Sequence, residues 1–390
     1  MTQPPLIAKP IRLAMVSDAL LPWHTGGKET RYAQLLPALA NYGVAVSIYA
    51  MDWWSPAPHG QALPHHALGK AYPLYNGEHR SMKQGLAFAL ACFKLLTKSD
   101  IDAIEADHMP YLQLYPLAIV AKIKRVPLIV TWHELWGKSG WSSYLPGYKG
   151  EVAYLIEKGA LRLPTKVVSV SKNTAKRLIA AGLPADKIVT LLSGVDTTEI
   201  LQAPTSGEPF QILFAGRLID HKRVDLILYA LALLKQRGHS YHCVITGDGP
   251  AAKSLKDLAE NLGITELTTF TGRLPSSSDV WSLMHRAKVL AFPSEREGFG
   301  IAVAESLTAG TPVVTSNHPD NAAKDLVSSD QLGTIIPAGS AAALATALQY
   351  WVEHPADPSE VTTLFQSLNP ALSIDELAKS YAQMLQEVLS

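Results

Sequence analysis

The sequence predicts an α/β protein with two doubly wound parallel sheets, and three observations support this fold class. Short runs of β-branched and apolar residues alternate with segments of helix length along the chain. These runs are apolar on both faces, as in parallel strands that helices cover on both sides. The 390 residues also exceed the length at which a single core usually stops growing, so two domains are expected.

The first half supplies the strands of one sheet, and we assign residues 1–200 to an N-terminal domain. The two histidines of "PHH" at residues 64–66 are assigned to a loop. The predicted strands of this domain, in chain order, are "IRLAMVSD", "AVSIYAMD", "IDAIEAD", "PLIVTWHE", "KVVSVS" and "KIVTLLSGVD".

A stretch with Pro, Gly and Ser, "EILQAPTSGEP", separates this domain from a second one at residues 201–375. The last segment, "IDELAKSYAQMLQEVL", repeats apolar residues at helical spacing, and residues 376–390 are assigned to a terminal helix. The predicted strands of the second domain are "FQILFAGRL", "YHCVITGDG", "LTTFTG", "AKVLAFPS", "TPVVTS" and "GTIIP".

Composition narrows the class of protein. Lys plus Arg and Asp plus Glu are 34 each, so no broad field favours nucleic acid as a partner. Cys92 and Cys243 lie in apolar segments where a buried thiol is ordinary, which indicates an intracellular protein. The N-terminal residues contain no long apolar segment followed by a small-residue cleavage site, and no run reaches roughly eighteen apolar residues, so we expect no signal peptide. We therefore expect a cytoplasmic protein without a transmembrane helix.

The stretch "FPSEREGFGIAVAESLTAGTPVVTS" predicts a strand, a glycine-bearing loop and a helix that ends near Gly310. Gly298 and Gly300 allow close approach of a ligand to the helix N-terminus, which attracts anions. Glu297 in the loop and Glu305 in the helix could accept hydrogen bonds from vicinal sugar hydroxyls. Alternatively, Glu297 is a loop acid and Glu305 a solvated helix residue.

Two cations follow the first strand of the second half, in "FAGRLIDHKRVDLILYALALL". Arg217 and Lys222 lie where ligands of doubly wound sheets bind, beyond the carboxyl ends of the strands. Together they could neutralise a diphosphate.

The segments "EGFGIAVAE", "GRLIDHKRVD" and "GDGP" together resemble glycosyltransferase family 4, whose members are retaining enzymes with the GT-B fold. The first half also carries "GGKETRYAQLLPALANYGVAVSIYA" and "PLIVTWHELW" in the family's order. The resemblance implies two Rossmann-like domains that face a central cleft. The N-terminal domain would bind the acceptor and the C-terminal domain the nucleotide-sugar donor, and the last helix would cross back onto the first domain.

The resemblance implies roles for the second-half residues. Arg217 and Lys222 would hold the donor phosphates, Glu305 the ribose hydroxyls, and Glu297 the transferred sugar. Further donor contacts would come from Gly216, from the backbone of Gly298, Phe299 and Gly300, and from Arg273 and Leu274 at the nucleobase.

In the first half, Gly26 and Gly27 match the family's glycine loop near the diphosphate, with a ligand-free turn as the alternative. His133 matches the family's histidine that contacts the donor sugar, although Glu134 follows where an aspartate is usual. A structural histidine remains the alternative for His133.

Two other motifs favour different chemistry. "GDGPAA" satisfies Gly-x-Gly-x-x-Ala through Gly247, Gly249 and Ala252, but it follows the second strand of its domain, not the first. Asp100 and Asp102 form an Asp-x-Asp that precedes its strand, which favours a surface turn over a metal site. We expect an enzyme that needs no metal and no bound cofactor.

Two segments leave a peripheral membrane contact open. "HRSMKQGLAFALACFKLLTKSD" has an apolar body with basic ends, and a buried crossover helix is the alternative. Aromatic residues after first-half strands could stack on a sugar, line a lipid groove, or simply pack in the core. They are Trp53, Trp54, Trp136, Trp141 and Tyr144.

We therefore expect a retaining hexosyltransferase that moves a sugar from a UDP- or GDP-sugar to an acceptor hydroxyl. The acceptor would be a saccharide, a lipid-linked saccharide or a small molecule, in glycan, glycolipid or cell-surface polysaccharide synthesis. Three alternatives share the fold: a nucleotide-sugar epimerase, a phosphorylase that needs phosphate or a pyridoxal lysine, and a catalytically silent sugar-binding protein. Intact Arg217, Lys222, Glu297 and Glu305 argue against the silent protein.

Overall fold

A computed structural model describes residues 9–24, 26–53, 65–76 and 79–390 of the chain. Within these residues the chain forms two compact units. Unit 1 extends to Gly194 and also contains Ile374–Ser390, and unit 2 is Val195–Ser373. Each unit has its own parallel sheet.

The strands of unit 1 form a seven-stranded sheet and a short antiparallel hairpin, and those of unit 2 form a six-stranded sheet. In chain order they are β1 (Ile11–Val16), β2 (Val44–Asp52), β3 (His65–Lys70), β4 (Tyr75–Asn76), β5 (His79–Arg80), β6 (Ala103–Asp107), β7 (Leu128–Trp132), β8 (Lys166–Ser169), β9 (Ile188–Thr190), β10 (Phe210–Ala215), β11 (Cys243–Thr246), β12 (Thr268–Gly272), β13 (Ala287–Phe292), β14 (Val313–Ser316) and β15 (Gly333–Ile336).

The helices follow the strands as crossover connections, with short 3₁₀ turns between some of them. The turn Cys92–Thr97 directly continues the second helix. The helices are α1 (Gly27–Leu39), α2 (Met82–Ala91), α3 (Leu114–Lys124), α4 (Gly137–Tyr144), α5 (Tyr148–Ala160), α6 (Lys172–Ala180), α7 (Thr197–Gln202), α8 (Val224–Gln236), α9 (Ala252–Asn261), α10 (Ser277–Arg286), α11 (Ile301–Thr308), α12 (Ala341–Glu353), α13 (Pro358–Leu368) and α14 (Ile374–Leu389).

Both sheets have the same strand order around their first strand. The order is β3-β2-β1-β6-β7-β8-β9 in unit 1 and β12-β11-β10-β13-β14-β15 in unit 2, and neighbouring strands are parallel. The order reverses between β1 and β6 and again between β10 and β13. Such a switch point leaves a crevice at the carboxyl ends of the two strands, where ligands of doubly wound sheets bind. The predicted fold class is confirmed.

Helices cover both faces of the unit 1 sheet. On one face, α1 and α14 bury Leu35 and Leu385 against strand residues such as Leu13. On the other face, α2, α3 and α5 bury apolar residues that include Phe88 and Leu117. The terminal helix α14 therefore belongs to unit 1, although all of unit 2 lies between it and the first part of unit 1 in the sequence. No helix in the described ranges is both long enough and apolar enough to cross a membrane.

One segment that was expected in a loop is a strand. His65 and His66, expected in a loop, begin the edge strand β3. The strand pairs in parallel with β2, places His66 against the ring of Tyr49 with centroids 5.1 Å apart, and buries Leu68. Leu68 is the only residue of β3 that enters the core, and most of the others are polar or small. The sequence of β3 therefore lacks the apolar pattern that predicts a strand.

A buried carboxylate attaches α14 to the centre of the sheet. Glu105, in β6, is almost completely buried and accepts hydrogen bonds from Thr131 Oγ1 at 2.5 Å and from the Tyr32 hydroxyl at 3.3 Å. The hydroxyl of Tyr381, in α14, donates a third hydrogen bond to the other carboxylate oxygen. Burial raises the pKa of Glu105 to about 7, although Thr131 and Tyr381 stabilise the charged form.

We expect Tyr381→Phe to destabilise unit 1, because it leaves a buried carboxylate oxygen without its donor from α14. The free energy of unfolding should fall by about 1–3 kcal/mol, as for other lost buried hydrogen bonds to charged groups. Chemical denaturation of both proteins measures the change. Tyr229→Phe, at a half-exposed position in α8, is the matched control. Equal stability of Tyr381→Phe and wild type would contradict the role of this hydrogen bond.

Candidate functional site

The switch point of unit 2 brings together two of the residues singled out in the sequence. Lys222 follows β10 and Glu297 follows β13, and these two strands are neighbours in the sheet. Lys222 Nζ lies 2.6 Å from Glu297 Oε1. The side chains are only 13% and 10% exposed, so bulk water screens the ion pair weakly. A cation and a carboxylate from two distant loops thus meet at the crevice.

Backbone and side-chain contacts fix the two loops against each other. The Ser294 hydroxyl and the Glu295 amide both donate to the carbonyl oxygen of His221, at 3.1 and 2.8 Å. Arg223 forms an ion pair with Glu295. The ammonium of Lys222 lies 4.8 Å from the centre of the Phe292 ring, at the end of β13. Lys222 is therefore held in place before any ligand arrives.

More positive charge surrounds this pair than the sequence analysis identified. Arg217 is exposed, and its guanidinium makes no hydrogen bond or ion pair within the described part of the chain. The pKa of His221 falls to about 3, because the ring is buried and because Arg296, Lys222 and Arg217 lie near it. Arg296 Nη2 is 3.5 Å from His221 Nδ1. In the sequence, the position of Arg296 directly before Glu297 could have indicated that it lies at this site.

Helix α11 begins at this edge of the sheet. Gly300 caps the helix with a φ of 95°, a conformation that side chains rarely adopt. A Cβ atom there would lie 2.4 Å from the Cβ of Ala323, so Gly300 also permits close packing. Phe299 is buried and Gly298 is half-buried beside it. The first-turn amides of α11 provide donors and partial positive charge next to Glu297.

Glu305 is held by a tryptophan and is not a solvated helix residue. Its Oε1 accepts a hydrogen bond from Trp281 Nε1, in α10, at 3.0 Å. Burial raises the pKa of Glu305 to about 7, and the Trp281 donor partly opposes that shift. The Trp281 contact was not predicted, because these residues are 24 positions apart on different helices.

The "GDGP" turn packs against the loop that carries Arg217. A Cβ atom on Gly247 would lie 1.8 Å from the carbonyl oxygen of Gly216, and one on Gly249 would lie 2.3 Å from that of Leu218. The amides of Gly216 and Leu218 also donate to residues of β11 and this turn. These glycines admit protein backbone at close range, which accounts for the motif without a dinucleotide.

Arg273 and Leu274 directly follow β12, the edge strand of the unit 2 sheet. Arg273 is exposed and Leu274 is half-buried. Strand β11 lies between β12 and β10, so these residues occupy the side of the crevice remote from β13. Their predicted contact with a nucleobase stays a prediction.

The switch point of unit 1 also holds buried charges, which the sequence analysis missed. Lys28 Nζ lies 2.9 Å from Asp18 after β1 and 3.2 Å from Asp107 at the end of β6. Arg80 lies 2.6 Å from Asp18. Burial would raise the pKa of Asp18, but Arg80 and Lys28 outweigh it and hold the value at about 2. In the sequence, the positions of Asp18 and Asp107 at the carboxyl ends of strands could have indicated this cluster.

The glycines of the first half lie beside this cluster. Gly26 precedes α1 in an extended conformation, and Gly27 is the first, exposed residue of that helix. Lys28 follows directly, so the glycines set the entry of the helix whose cation joins Asp18 and Asp107. A Cβ atom on Gly26 would lie 2.7 Å from Glu29 Oε2, the end of a flexible side chain.

His133 lies in unit 1, one residue after β7. Its backbone amide is 3.4 Å from His108 Nδ1, and its ring meets Tyr32 edge-on with centroids 6.4 Å apart. Burial and the neighbouring His108 hold the pKa of His133 well below its usual range. Within the described residues its Nε2 is buried without a hydrogen-bond partner. A neutral ring with one unsatisfied nitrogen suits a polar ligand or water.

The aromatic residues of the first half mostly pack against one another. The ring of Trp136 lies 4.8 Å from that of Trp141 and 4.9 Å from that of Tyr144. Buried Glu157 accepts hydrogen bonds from the amide of Trp136 and from Trp141 Nε1. Trp53 donates to the carbonyl oxygen of Asp18 at 3.1 Å. Trp54 lies outside the described residues.

The Asp-x-Asp motif is part of an ion-pair group. Asp100 and Asp102 each bind Arg12 at 2.7 Å, at the beginning of β1. Arg12 thus accounts for both carboxylates. Across the residues that the structure describes, no three His, Cys, Asp or Glu side chains form a group that could hold a metal ion.

Family models match the two halves of the chain in succession. Residues 25–199 match the model described as Glycosyltransferase Family 4, and residues 196–363 match the one described as Glycosyl transferases group 1. Together these matches span most of the chain.

Curated relatives share part of this likeness. A putative colanic acid biosynthesis glycosyltransferase, WcaL of Escherichia coli K12, is 30% identical over 52% of this chain and 50% of its own length. A GDP-mannose-dependent phosphatidylinositol monomannoside mannosyltransferase of Mycobacterium tuberculosis is 27% identical over 78% of this chain and 79% of its own. The chain spans about half to three-fifths of the two WcaL relatives, 50% and 61%.

Solved structures confirm the GT-B fold. HepE of Anabaena in complex with UDP matches 97% of this chain and 100% of its own, with a TM-score of 0.73 and 17% identity. Sucrose-phosphate synthase of Thermosynechococcus elongatus matches 97% and 99%, with a TM-score of 0.76 and 18% identity. At these identities the likeness concerns the fold alone.

The raised pKa of Glu305 predicts a pH-dependent stability. A buried acid with a raised pKa contributes stability that is fully present below its ordinary pKa of 4.5 and is lost as the pH rises through about 7. Glu305→Gln stays neutral and avoids this loss. From about pH 5 to about pH 8, its free energy of unfolding should therefore rise relative to wild type, by on the order of 1 to 3 kcal/mol. Denaturation at each pH gives the difference, and a constant difference would contradict the raised pKa of Glu305.

Proposed function

Because the chain belongs to glycosyltransferase family 4, we propose that it is a retaining hexosyltransferase that moves a sugar from a nucleoside diphosphate sugar to an acceptor hydroxyl. The observation that carries the proposal is the ion pair of Lys222 and Glu297 at the switch point of unit 2. In this ion pair, a cation of the kind that binds phosphates lies beside a carboxylate of the kind that accepts hydrogen bonds from hydroxyls. A nucleoside diphosphate sugar carries both complementary groups, a diphosphate and the hydroxyls of the sugar bound to it.

The donor would exchange partners with this ion pair. Lys222 would leave Glu297 and bind the diphosphate of the donor. Glu297 would then accept hydrogen bonds from the hydroxyls of the transferred sugar. The exchange returns a negative partner to Lys222 and hydrogen-bond donors to Glu297, so neither buried charge is left unpaired. The limited exposure of both side chains supports this, because unpaired charges there would be costly.

The chemical step would depend on stabilising the leaving group. When the bond between sugar and phosphate breaks, negative charge grows on the diphosphate. Arg217, Lys222 and the first-turn amides of α11, with the backbone of Gly298, Phe299 and Gly300, would stabilise that charge most when it is greatest. Exposed Arg217, which makes no other ion pair among the described residues, is available for this. We propose that these groups replace a divalent cation.

The nucleoside would bind on the side of the diphosphate that is opposite to the transferred sugar. Glu305 would accept hydrogen bonds from the two ribose hydroxyls, and Trp281 would fix its orientation. Arg273 and Leu274 after β12 would contact the base, and Gly216 would let the donor approach the loop after β10 closely. Both UDP- and GDP-sugars fit this description.

Unit 1 would bind the acceptor, and its first-half residues would contact the donor as well. Gly26 and Gly27 would admit the diphosphate at the start of α1. The neutral ring of His133, with its unsatisfied Nε2, would hydrogen-bond a sugar hydroxyl. Relatives named for colanic acid biosynthesis and for mannosylation of a phosphatidylinositol support a role in glycan, glycolipid or polysaccharide synthesis.

We further propose a cytoplasmic enzyme with peripheral contact to the inner face of a membrane. Cys92 and Cys243 are free buried thiols, which fit a reducing compartment. The membrane contact is supported by the apolar and basic composition of the segment that contains α2.

A donor screen tests the transferase proposal. The protein is incubated with UDP-, GDP- and ADP-sugars in the presence of EDTA, and release of the nucleoside diphosphate is followed. We expect slow hydrolysis of one donor, and a loss of about 100-fold or more in Arg217→Ala and in Glu297→Ala. Lys253→Ala, exposed in α9, is the control and should retain the activity. The anomer of the released or transferred sugar, followed by NMR, reports retention.

Other outcomes of this screen would replace the proposal. Conversion of the sugar without release of a nucleoside diphosphate would identify an epimerase. Turnover that requires inorganic phosphate would identify a phosphorylase. Donor binding without turnover, with a panel of saccharide acceptors present, would identify a silent binding protein. Activity unchanged in Arg217→Ala and Glu297→Ala would show that the residues at the switch point do not act as described.

A further inference from the structure

Three helices of unit 1 present apolar side chains to solvent. Helices α2, α3 and α5 cover the same face of the sheet and bury their inner sides in one core cluster. Their outward sides, which we name the three-helix face, would ordinarily be polar. Six large apolar residues there are instead 50% to 62% exposed. They are Leu86 and Leu90 in α2, Ile119 and Ile123 in α3, and Val152 and Leu155 in α5.

Helix α2 and its 3₁₀ continuation show the pattern most clearly. Met82, Leu86, Leu90 and Phe93 are all exposed. At about 100° per residue they fall within roughly a quarter of the helix circumference. Phe88 on the opposite side is fully buried. The segment is therefore a crossover helix, as one of the two sequence-based alternatives held, but its solvent side is apolar too.

Basic residues border these apolar side chains. Residues 82–98 and 114–125 contain six cations and no acid, although the whole chain has 34 basic and 34 acidic residues. Lys124 Nζ donates to the carbonyl oxygen of Lys98, which holds the ends of the two segments together. On α5 the exposed acid Glu151 is paired with Lys138 at 2.9 Å. The six cations are Lys83, Lys94, Lys98, Lys122, Lys124 and Arg125.

We propose that the three-helix face binds the surface of an anionic lipid bilayer. Apolar side chains would enter the boundary between headgroups and acyl chains, and the bordering cations would contact lipid phosphates. A second copy of the chain fits the same face less well. A twofold interface would set the cations of one copy against those of the other, and like charges in close contact repel.

The face adjoins the unit 1 switch point. Arg80, two residues before α2, binds Asp18 through its side chain and donates its amide to the Tyr144 hydroxyl at 2.9 Å. The unit 1 crevice therefore lies near the N-terminal end of α2. If unit 1 binds the acceptor, a bilayer on this face would supply a lipid-linked acceptor. The bilayer contact rests on the membrane contact in the proposed function, and the supply of an acceptor rests on its transferase activity.

Vesicle binding tests the bilayer contact without any activity assay. The full chain is sedimented with vesicles of phosphatidylcholine alone and of phosphatidylcholine with phosphatidylglycerol. We expect binding to the anionic vesicles that weakens with added salt. Leu86→Glu/Leu90→Glu and Lys94→Glu/Lys122→Glu should each lower the partition coefficient by about tenfold or more.

Matched variants of unit 2 control for general effects of added charge. Leu201→Glu/Leu368→Glu changes two apolar residues that are each 49% exposed, and Lys253→Glu/Arg237→Glu changes two exposed cations. Both should bind vesicles like wild type. Thermal denaturation of each variant verifies that it is folded.

Three results would overturn the proposal. The first is no binding to anionic vesicles by folded wild-type protein. The second is equal binding by Leu86→Glu/Leu90→Glu and wild type. The third is self-association in sedimentation velocity that the same variant abolishes, since a second copy would then cover the face. Donor turnover is measured separately, so failure of the bilayer contact is distinguishable from failure of the transferase proposal.

Discussion

The ion pair of Lys222 and Glu297 exists because β10 and β13 are neighbours in the unit 2 sheet, although the two residues are 75 positions apart in the sequence. Every other part of the proposed donor site is arranged around it. The loop with Arg217 leads to Lys222, and the start of α11 follows Glu297. The site therefore depends on the strand order more than on any single loop.

Strand order has the same consequence in unit 1. There β1 and β6 are neighbours, and Lys28 links Asp18 to Asp107 at their carboxyl ends. Both units thus hold buried charges at the switch point. The two sites differ in their charge pairing. The unit 1 cluster pairs its cations with acids, whereas the unit 2 edge adds to its ion pair the exposed guanidinium of Arg217, which makes no ion pair with the described residues. This available cation makes unit 2 the better place for a diphosphate.

Much of the fold and part of the site could be predicted from the sequence. Apolar runs between helix-length segments gave the main strands, because fully buried strands have a strong pattern. The prediction of a loop at the start of β3 was wrong, because Leu68 is the only residue of this strand that enters the core and the apolar pattern of a strand is therefore missing. Lys222 and Glu297 were predicted through their places after strands, but their mutual contact was not, since it depends on strand order.

Other features needed the folded chain. Trp281 meets Glu305 across two helices, and Arg80 reaches Asp18 from 62 positions away. No local sequence pattern predicts contacts between residues that lie so far apart in the chain. The outward apolar side of α2 was also hidden in the sequence, because a helix that is apolar on both sides reads like one buried on both sides. Exposure, and not composition, distinguishes the two.

The central claim is that Lys222 leaves Glu297 to bind the donor diphosphate. Calorimetric titration with UDP, GDP and ADP, which lack the sugar, tests it most directly in wild type, Lys222→Ala and Glu297→Ala. Lys222→Ala should weaken binding of the preferred nucleotide by about tenfold or more, because it removes a charged phosphate contact. Glu297→Ala should preserve or strengthen binding, because it removes the competing carboxylate. Equal weakening in both variants, or none in Lys222→Ala, would contradict the exchange of partners.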